Sequence, residues 1–163
     1  MSTKPRGAPV TTTAYVDASQ MANMVILRSH TGFIILLNRS PIIWYSKQQN
    51  TVEALTFSSE FIAIKACVEH ITAMLSKLRM FGVPVDESTK VIWDNESVVK
   101  NSSIIASTLN KKYISMAYHS VRWNVAASVI QVGCIDNHSN LADAMTKRLP
   151  ADKREILFVD WTY

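Results

Sequence analysis

Two runs of β-forming residues decide the class of fold: Thr31–Asn38 reads TGFIILLN, and Ile42–Lys47 reads IIWYSK. β-branched and aromatic residues favour strands, and Asn38–Pro41 (NRSP) between the two runs has the composition of a turn. The earlier run Thr12–Asp17 (TTAYVD) has the same character. Together these runs predict three strands joined in an antiparallel meander.

Beyond the meander, the spacing of the apolar residues changes. They recur at helical intervals from Phe57 to Leu78, which predicts an amphipathic helix that ends before Gly82 and Pro84. The rest of the chain predicts, in order, a strand at Lys90–Trp93, a helix at Asn110–Ala127, a strand at Val129–Ile135 and a short helix at Asn140–Leu149. Because the last two strands each follow a helix, they are expected to join the sheet in parallel. The prediction is an α/β fold with a mixed five-stranded sheet, three antiparallel strands then two parallel, flanked by helices.

The 163 residues suit one domain. We expect residues 12–150 to form it, with a flexible leader at 1–11 and a C-terminal tail at 151–163. The leader is polar and contains Pro5, Gly7 and Pro9, so it is unlike a secretory signal. No apolar run has the length of a membrane span, and no membrane association is expected.

The composition excludes several kinds of site. The four glycines are too far apart for a dinucleotide-binding or P-loop motif, and the four histidines include no HExxH. Cys67 and Cys134 are isolated in apolar segments, so both are expected to be reduced and buried, as in an intracellular protein. Any metal would therefore be held by carboxylates, which favours Mg²⁺ or Mn²⁺ over zinc. A net charge of +4 suits a polyanion, although many soluble domains are as basic.

Four acidic residues lie where an acid is unexpected. Asp17 and Asp94 end apolar strands. Glu60 borders the buried stripe of the long helix, and Asp143 lies near the start of the last helix. Ligand sites in open α/β sheets gather beyond the carboxyl ends of parallel strands, where Asp94 lies and where Asp17 would lie if strand one neighboured strand four. Carboxylates that meet there repel one another unless cations neutralise them, and two divalent ions would also support phosphoryl transfer.

Taken singly, each acid has an ordinary alternative. Asp17 could be a turn residue at a strand end, and Asp94 could cap a helix that begins at Asn95. Glu60 and Asp143 could simply favour the positive end of a helix.

Six short stretches in a fixed order carry a family resemblance: YVDA at Tyr15–Ala18, RSHTG at Arg28–Gly32, PIIWYSK at Pro41–Lys47, SSEF at Ser58–Phe61, DNES at Asp94–Ser97 and NLADAMTK at Asn140–Lys147. With them the chain resembles the ribonuclease H domain at the C-terminal end of the Pol polyprotein of copia-type LTR retrotransposons. Single stretches are unspecific, whereas the ordered set is specific and covers roughly residues 12–150.

The resemblance implies a ribonuclease H-like fold whose D-E-D-D site consists of Asp17, Glu60, Asp94 and Asp143. It implies two bound Mg²⁺ ions, with Mn²⁺ as an alternative, and no small-molecule cofactor. The implied activity is endonucleolytic cleavage of the RNA strand of an RNA–DNA hybrid. The implied partners are that hybrid and the reverse transcriptase polymerase domain of the parent polyprotein. The implied location is the cytoplasm, in a virus-like particle, or the nucleus.

Seven basic residues are candidates for contacts with the hybrid: Arg28, Lys47, Lys111, Lys112, His119, Arg122 and Lys147. Contacts with phosphates would position a duplex, while the 2′-hydroxyl distinguishes the RNA strand. Each of these residues could instead be an ordinary solvated charge, and His119 could have a structural role. The tryptophans Trp44, Trp93 and Trp123 are expected in the core.

Two other functions stay open. One is a catalytically inactive ribonuclease H-like module that binds nucleic acid, or a decayed retroelement fragment. The loop after Asp17 favours it, because relatives commonly carry acidic residues near Asn23 and Val25. The other is a metal-free α/β interaction domain, which would make the ordered stretches a coincidence.

Overall fold

The five predicted strands form one sheet in a computed structural model that describes residues 7–19, 28–50, 56–85, 87–94, 112–136 and 138–159. The strands are β1 (Thr12–Ser19), β2 (His30–Leu37), β3 (Ser40–Gln48), β4 (Thr89–Trp93) and β5 (Ile130–Cys134), in the spatial order β3-β2-β1-β4-β5. β2 pairs antiparallel with both β1 and β3, and β4 pairs parallel with both β1 and β5. The predicted α/β fold with its mixed sheet is confirmed.

The turn between β2 and β3 is shorter than predicted. It consists of Asn38 and Arg39, both with positive φ (49° and 71°), and β3 begins directly afterwards at Ser40. A two-residue turn of this kind matches the twist of an antiparallel pair. Pro41 is tolerated inside β3 because β3 is an edge strand of the sheet.

The described helices are α1 (Thr56–Met80), α2 (Lys112–Ala126), α3 (Asp143–Thr146) and α4 (Ala151–Phe158). α1 packs against β1, β2 and α2, and the main core lies between this helical layer and the sheet. The core includes side chains from every layer: Val16, Phe33, Ile35, Phe61, Ile64, Ile71, Val91, Tyr118 and Val121. Residue 110 of the predicted helix 110–127 lies outside the described residues.

Two expectations about buried side chains are wrong in part. Trp93 is buried as expected, but Trp44 and Trp123 are each 68% exposed. Trp44 lies on the outer face of edge strand β3, because the neighbouring Tyr45 faces the core and stacks on Phe33. Cys67 is buried, and burial raises the pKa of its thiol, whereas Cys134 at the end of β5 is exposed.

The C-terminal part differs most from the expectation. The predicted helix at 140–149 is only the single turn α3, preceded by a turn in which the Ala142 N–H donates to Asn140 Oδ1 (3.0 Å). A further helix, α4, begins directly after Pro150 in the segment expected to be a tail. Proline favours the start of a helix as much as it prevents continuation of the one before. The limits 12–150 of the domain stay a prediction.

None of the helices in the described part of the chain combines the length and apolar character needed to cross a membrane.

Candidate metal centre

Three aspartates meet at the carboxyl end of the two central parallel strands. Tyr15 of β1 is level with Ile92 of β4, and two further residues along each strand bring Asp17 level with Asp94. Asp143 begins α3, which packs against β1 and β2. Carboxylate oxygens of the three aspartates lie within 4.8 Å of one another. Asp17 and Asp143 are buried, and Asp94 is half-buried.

Asn140 ties the turn before α3 to the sheet. Its fully buried side chain donates from Nδ2 to the Val16 carbonyl (2.9 Å), while its Oδ1 accepts the Ala142 N–H. Val16 is the neighbour of Asp17 on β1. The amide of Asn140 therefore fixes the distance between the backbone carrying Asp17 and the helix carrying Asp143.

Gly32 allows α3 to lie directly on β2. It pairs with Asp17 across the β1–β2 ladder. A Cβ atom at Gly32 would lie 2.6 Å from both Met145 Cβ and Thr146 Cγ2. The absence of a side chain at this one position lets the third aspartate approach the first.

A chain of hydrogen bonds holds the far side of α3. Ser46 of β3 donates from Oγ to the Met145 carbonyl (2.6 Å), and His30 Nε2 lies 3.0 Å from Ser46 Oγ. Because the Ser46 proton is directed at the carbonyl, His30 donates to Ser46 through Nε2. The stretches at 28–32, 41–47 and 140–147, which carry the resemblance, thus converge on α3.

Two lysines and a threonine compensate the negative charge of the cluster. Lys147 Nζ lies 3.1 Å from Asp143 Oδ1 and 3.4 Å from Asp17 Oδ2. Lys153 Nζ, from α4, lies 2.6 Å from Asp143 Oδ2. Thr146 Oγ1 donates to the Asp17 carboxylate.

The pKa values follow from this arrangement. Burial raises the pKa of Asp94, and the charges of Asp17 and Asp143 raise it further. Burial lowers the pKa of Lys147, but the attraction of Asp17 and Asp143 outweighs burial and raises this pKa above the usual lysine value. The cluster therefore favours cations strongly.

Comparison with known proteins gives relatives of one kind. The chain is 30% identical over 145 residues to the retrovirus-related Pol polyprotein from transposon TNT 1-94 of Nicotiana tabacum. It is 25% identical over 144 residues to the corresponding polyprotein from transposon RE2 of Arabidopsis thaliana. These alignments cover 87% and 88% of the chain but only 11% and 10% of the polyproteins, so the chain spans about a tenth of their length. No protein-family model matches the sequence.

Solved structures give the fold. LC11-RNase H1, isolated from compost by a metagenomic approach, superposes with a TM-score of 0.64 at 15% identity over 83% of this chain and 92% of its own. The fold is that of ribonuclease H. The same enzyme in complex with an RNA/DNA hybrid gives a TM-score of 0.59 at 16% identity, covering 83% and 94% of the two chains. Prototype foamy virus protease-reverse transcriptase gives 0.56 at 14% identity, covering 87% of this chain and 21% of that one.

The resemblance read from the sequence is confirmed: the chain is a relative of retrotransposon Pol polyproteins with a ribonuclease H fold. The narrower assignment to copia-type elements stays a prediction.

The donor set of this ribonuclease H fold fits a hard divalent cation. Three carboxylates offer oxygen ligands within 4.8 Å, and oxygen is the ligand atom that Mg²⁺ and Mn²⁺ prefer. Glu60 is buried near the start of α1, outside the group of three that meet within this distance. Its assignment as the fourth ligand stays a prediction.

The sequence gave no reason to include three residues that shape this site. Asn140 and Thr146 lie within the quoted stretch 140–147 but were assigned no role. Lys153 lies in the segment taken as a tail. The signal for it was Pro150 followed by an acidic first turn, which is typical of a helix start.

The seven candidate contacts for nucleic acid do not form one cluster among the residues described. Lys111 and the side chain of Lys112 lie outside the described residues. Arg28 is half-buried before β2, Lys47 is exposed on β3, and His119 is exposed on α2. Arg122 lies over the Tyr118 ring (5.3 Å to its centre) and donates to the Tyr118 hydroxyl (3.3 Å). Lys147 alone contacts the carboxylates, and all seven roles stay predictions.

The loop after Asp17, on which the inactive alternative depended, lies outside the described residues, as does Asn95, the expected start of a helix.

Proposed function

We propose that this chain is a divalent-metal-dependent endoribonuclease that cleaves the RNA strand of RNA–DNA hybrids during reverse transcription of a retrotransposon. The observation that carries the proposal is the convergence of Asp17, Asp94 and Asp143 within 4.8 Å in a ribonuclease H fold. The solved complex of LC11-RNase H1 with an RNA/DNA hybrid supports the substrate. The homology to Pol polyproteins supports the biological setting.

In the proposed reaction, Asp17, Asp94 and Asp143 bind two Mg²⁺ or Mn²⁺ ions, with Glu60 as the fourth ligand. Such ions activate water as a nucleophile and stabilise the leaving oxygen of a phosphodiester. Thr146 orients the Asp17 carboxylate by its hydrogen bond, and Asn140 holds Asp143 at the correct separation. These residues position ligands and do not need to change protonation state.

The proposed partners follow from the same relationship. The polyprotein relatives are about ten times longer than this chain, and foamy virus protease-reverse transcriptase contains a segment of the same fold. We therefore place the chain beside a reverse transcriptase polymerase domain in the cytoplasm, within a virus-like particle, or in the nucleus. The basic candidates, from Arg28 to Lys147, would contact phosphates of the hybrid.

The deciding experiment is a cleavage assay with an end-labelled RNA–DNA hybrid. We expect the purified chain to cut the RNA strand with Mg²⁺, leaving 3′-hydroxyl and 5′-phosphate ends, and to be inactive in EDTA. Asp94→Asn should abolish cleavage while the protein stays folded. Glu69→Gln, which neutralises an exposed carboxylate of α1, is the matched control and should leave the rate unchanged. Equal cleavage by Asp94→Asn and wild type would contradict the assignment.

One observation favours the second candidate, an inactive module that binds nucleic acid. Lys147 and Lys153 already neutralise the cluster, so the acidic residues are compensated without a metal. Hybrid binding by a folded wild-type chain without cleavage in either Mg²⁺ or Mn²⁺ would establish this alternative.

A further inference from the structure

Asp143 holds a lysine on each of its two carboxylate oxygens. Lys147 contacts Oδ1 from the same helix, four residues along, with 44% of its side chain exposed. Lys153 contacts Oδ2 from α4 at the shorter distance of 2.6 Å, with 28% of its side chain exposed. The Asp143 side chain is itself only 4% exposed. The closest cation to the cluster therefore comes from a helix outside the core.

α4 is attached to the rest of the fold by few buried contacts. None of its described residues is buried. A cavity of about 430 Å³ lies between the outer face of the sheet and α4, lined by Thr13, Tyr15 and Leu36 from the strands and by Ile156 and Leu157 from α4. A helix that leaves such a cavity beneath it gains little from packing. The ion pair from Lys153 to Asp143 is thus a main link between α4 and the site.

A metal and Lys153 would compete for the same carboxylate. Mg²⁺ binds carboxylate oxygens at about 2.1 Å, and an ammonium group 2.6 Å from the same oxygen would repel it. The buried position of Asp143 leaves little water to screen this repulsion.

We propose that Lys153 is a built-in counter-ion of Asp143 that competes with divalent metal, so that metal binding releases Lys153 and loosens α4. This inference rests on the proposed function only in placing the metal at the aspartate cluster. Lys153 is a positioning residue, because it contacts a proposed metal ligand and no reacting atom. In the metal-free chain it keeps Asp143 in place and limits repulsion within the cluster.

Calorimetric titration with Mn²⁺ tests the competition. Lys153→Gln should bind Mn²⁺ about fivefold more tightly than wild type, because no ammonium group has to be displaced. Arg154→Gln is the matched control: it removes the same charge one residue further along α4 and should change the affinity less than about twofold. Equal or weaker binding by Lys153→Gln would overturn the proposal.

Hydrogen exchange on the wild-type chain supplies a readout that needs no variant. Exchange of the amides at 151–158 should become faster on addition of Mn²⁺, and in Lys153→Gln it should be fast from the start. Unchanged exchange in the wild type, with metal bound, would overturn the release of α4. Binding of Mn²⁺ with equal affinity by wild type and Lys153→Gln would refute this inference alone, whereas absence of binding in both would refute the metal-dependent function as well.

Discussion

The charge on Asp94 has a cost that can be measured as a function of pH. Burial and the neighbouring charges of Asp17 and Asp143 raise its pKa in the folded chain, while in the unfolded chain it has the ordinary value of about 3.9. The folded state therefore binds the proton more tightly than the unfolded state. As the pH rises from below 3.9 through the raised pKa, Asp94 ionises and the folded state loses stability.

Asp94→Asn should therefore be more stable than wild type at pH 7 in EDTA, by about 1 kcal/mol or roughly 3 °C in Tm. The difference should shrink as the pH is lowered, since the wild-type residue then becomes neutral too. Thermal unfolding between pH 4 and 8 measures this, with Glu69→Gln as the exposed control. A variant less stable than wild type at pH 7 would show that Asp94 is not repelled by its neighbours.

Asn140 is the residue whose side chain links the two halves of the site. Asn140→Ala leaves the buried Val16 carbonyl without its partner, which should cost about 1–3 kcal/mol, and should also weaken Mn²⁺ binding. Asn124→Ala is the matched control, because Asn124 is also buried and donates to a backbone carbonyl, that of Ser120 within α2. It should lose stability with unchanged metal affinity. Chemical denaturation and calorimetry separate the two effects, and equal losses of affinity would argue against a positioning role for Asn140.

At the scale of elements, local periodicity predicted most of the fold. Strands β1 to β5 and helix α1 follow alternation or helical spacing, and the parallel entry of β4 and β5 follows from the helices before them. The misses are where a single contact decides the outcome. α3 is one turn long because Asn140 binds the sheet, and β3 starts early because Asn38 and Arg39 adopt positive φ. Neither choice leaves a periodic signal.

The site was predicted to a similar extent. Asp17, Asp94 and Asp143 could be found because each ends a strand or starts a helix at one edge of the sheet. Lys153 could not, because its contact with Asp143 depends on where α4 lies, and the exposed pattern of α4 does not determine this.

Close packing of α3 on β2 gives a test at this scale. Gly32→Ala places a methyl group 2.6 Å from Met145 and Thr146, so α3 must shift and carry Asp143 away from Asp17. We expect a loss of roughly 1–3 kcal/mol in the free energy of unfolding, together with weaker Mn²⁺ binding.

Gly133→Ala on β5 is the control, because a Cβ atom there meets nothing within 4 Å. It should change stability by about 0.5 kcal/mol or less. Urea denaturation of both variants measures the contrast. Equal stability of Gly32→Ala and Gly133→Ala would mean that α3 does not need to lie so close to the sheet.

At the scale of the whole molecule, the sheet has one functional end. Asp17 and Asp94 lie where β1 and β4 finish, and Lys47 of β3 pairs with Thr31, which pairs with Ala18. Lys47 is therefore about two strand spacings, roughly 10 Å, from the strand that carries Asp17. A duplex that reaches the carboxylates passes close to Lys47, whereas a lysine at the other end of the sheet stays remote.

Lys90 supplies that remote lysine. It is also an exposed strand residue, but it pairs with Thr13 near the start of β1, four residues before Asp94 on its own strand. Lys47→Gln should weaken hybrid binding and reduce the slope of log K against log salt by about 1, because one phosphate contact is lost. Lys90→Gln carries the same net charge and should change neither. Fluorescence anisotropy with a labelled hybrid in EDTA, between 50 and 200 mM salt as a range of about this width, measures both slopes without cleavage. Identical slopes for the two variants would mean that binding follows net charge alone, and the hybrid would then have to approach the carboxylates from a side away from β3.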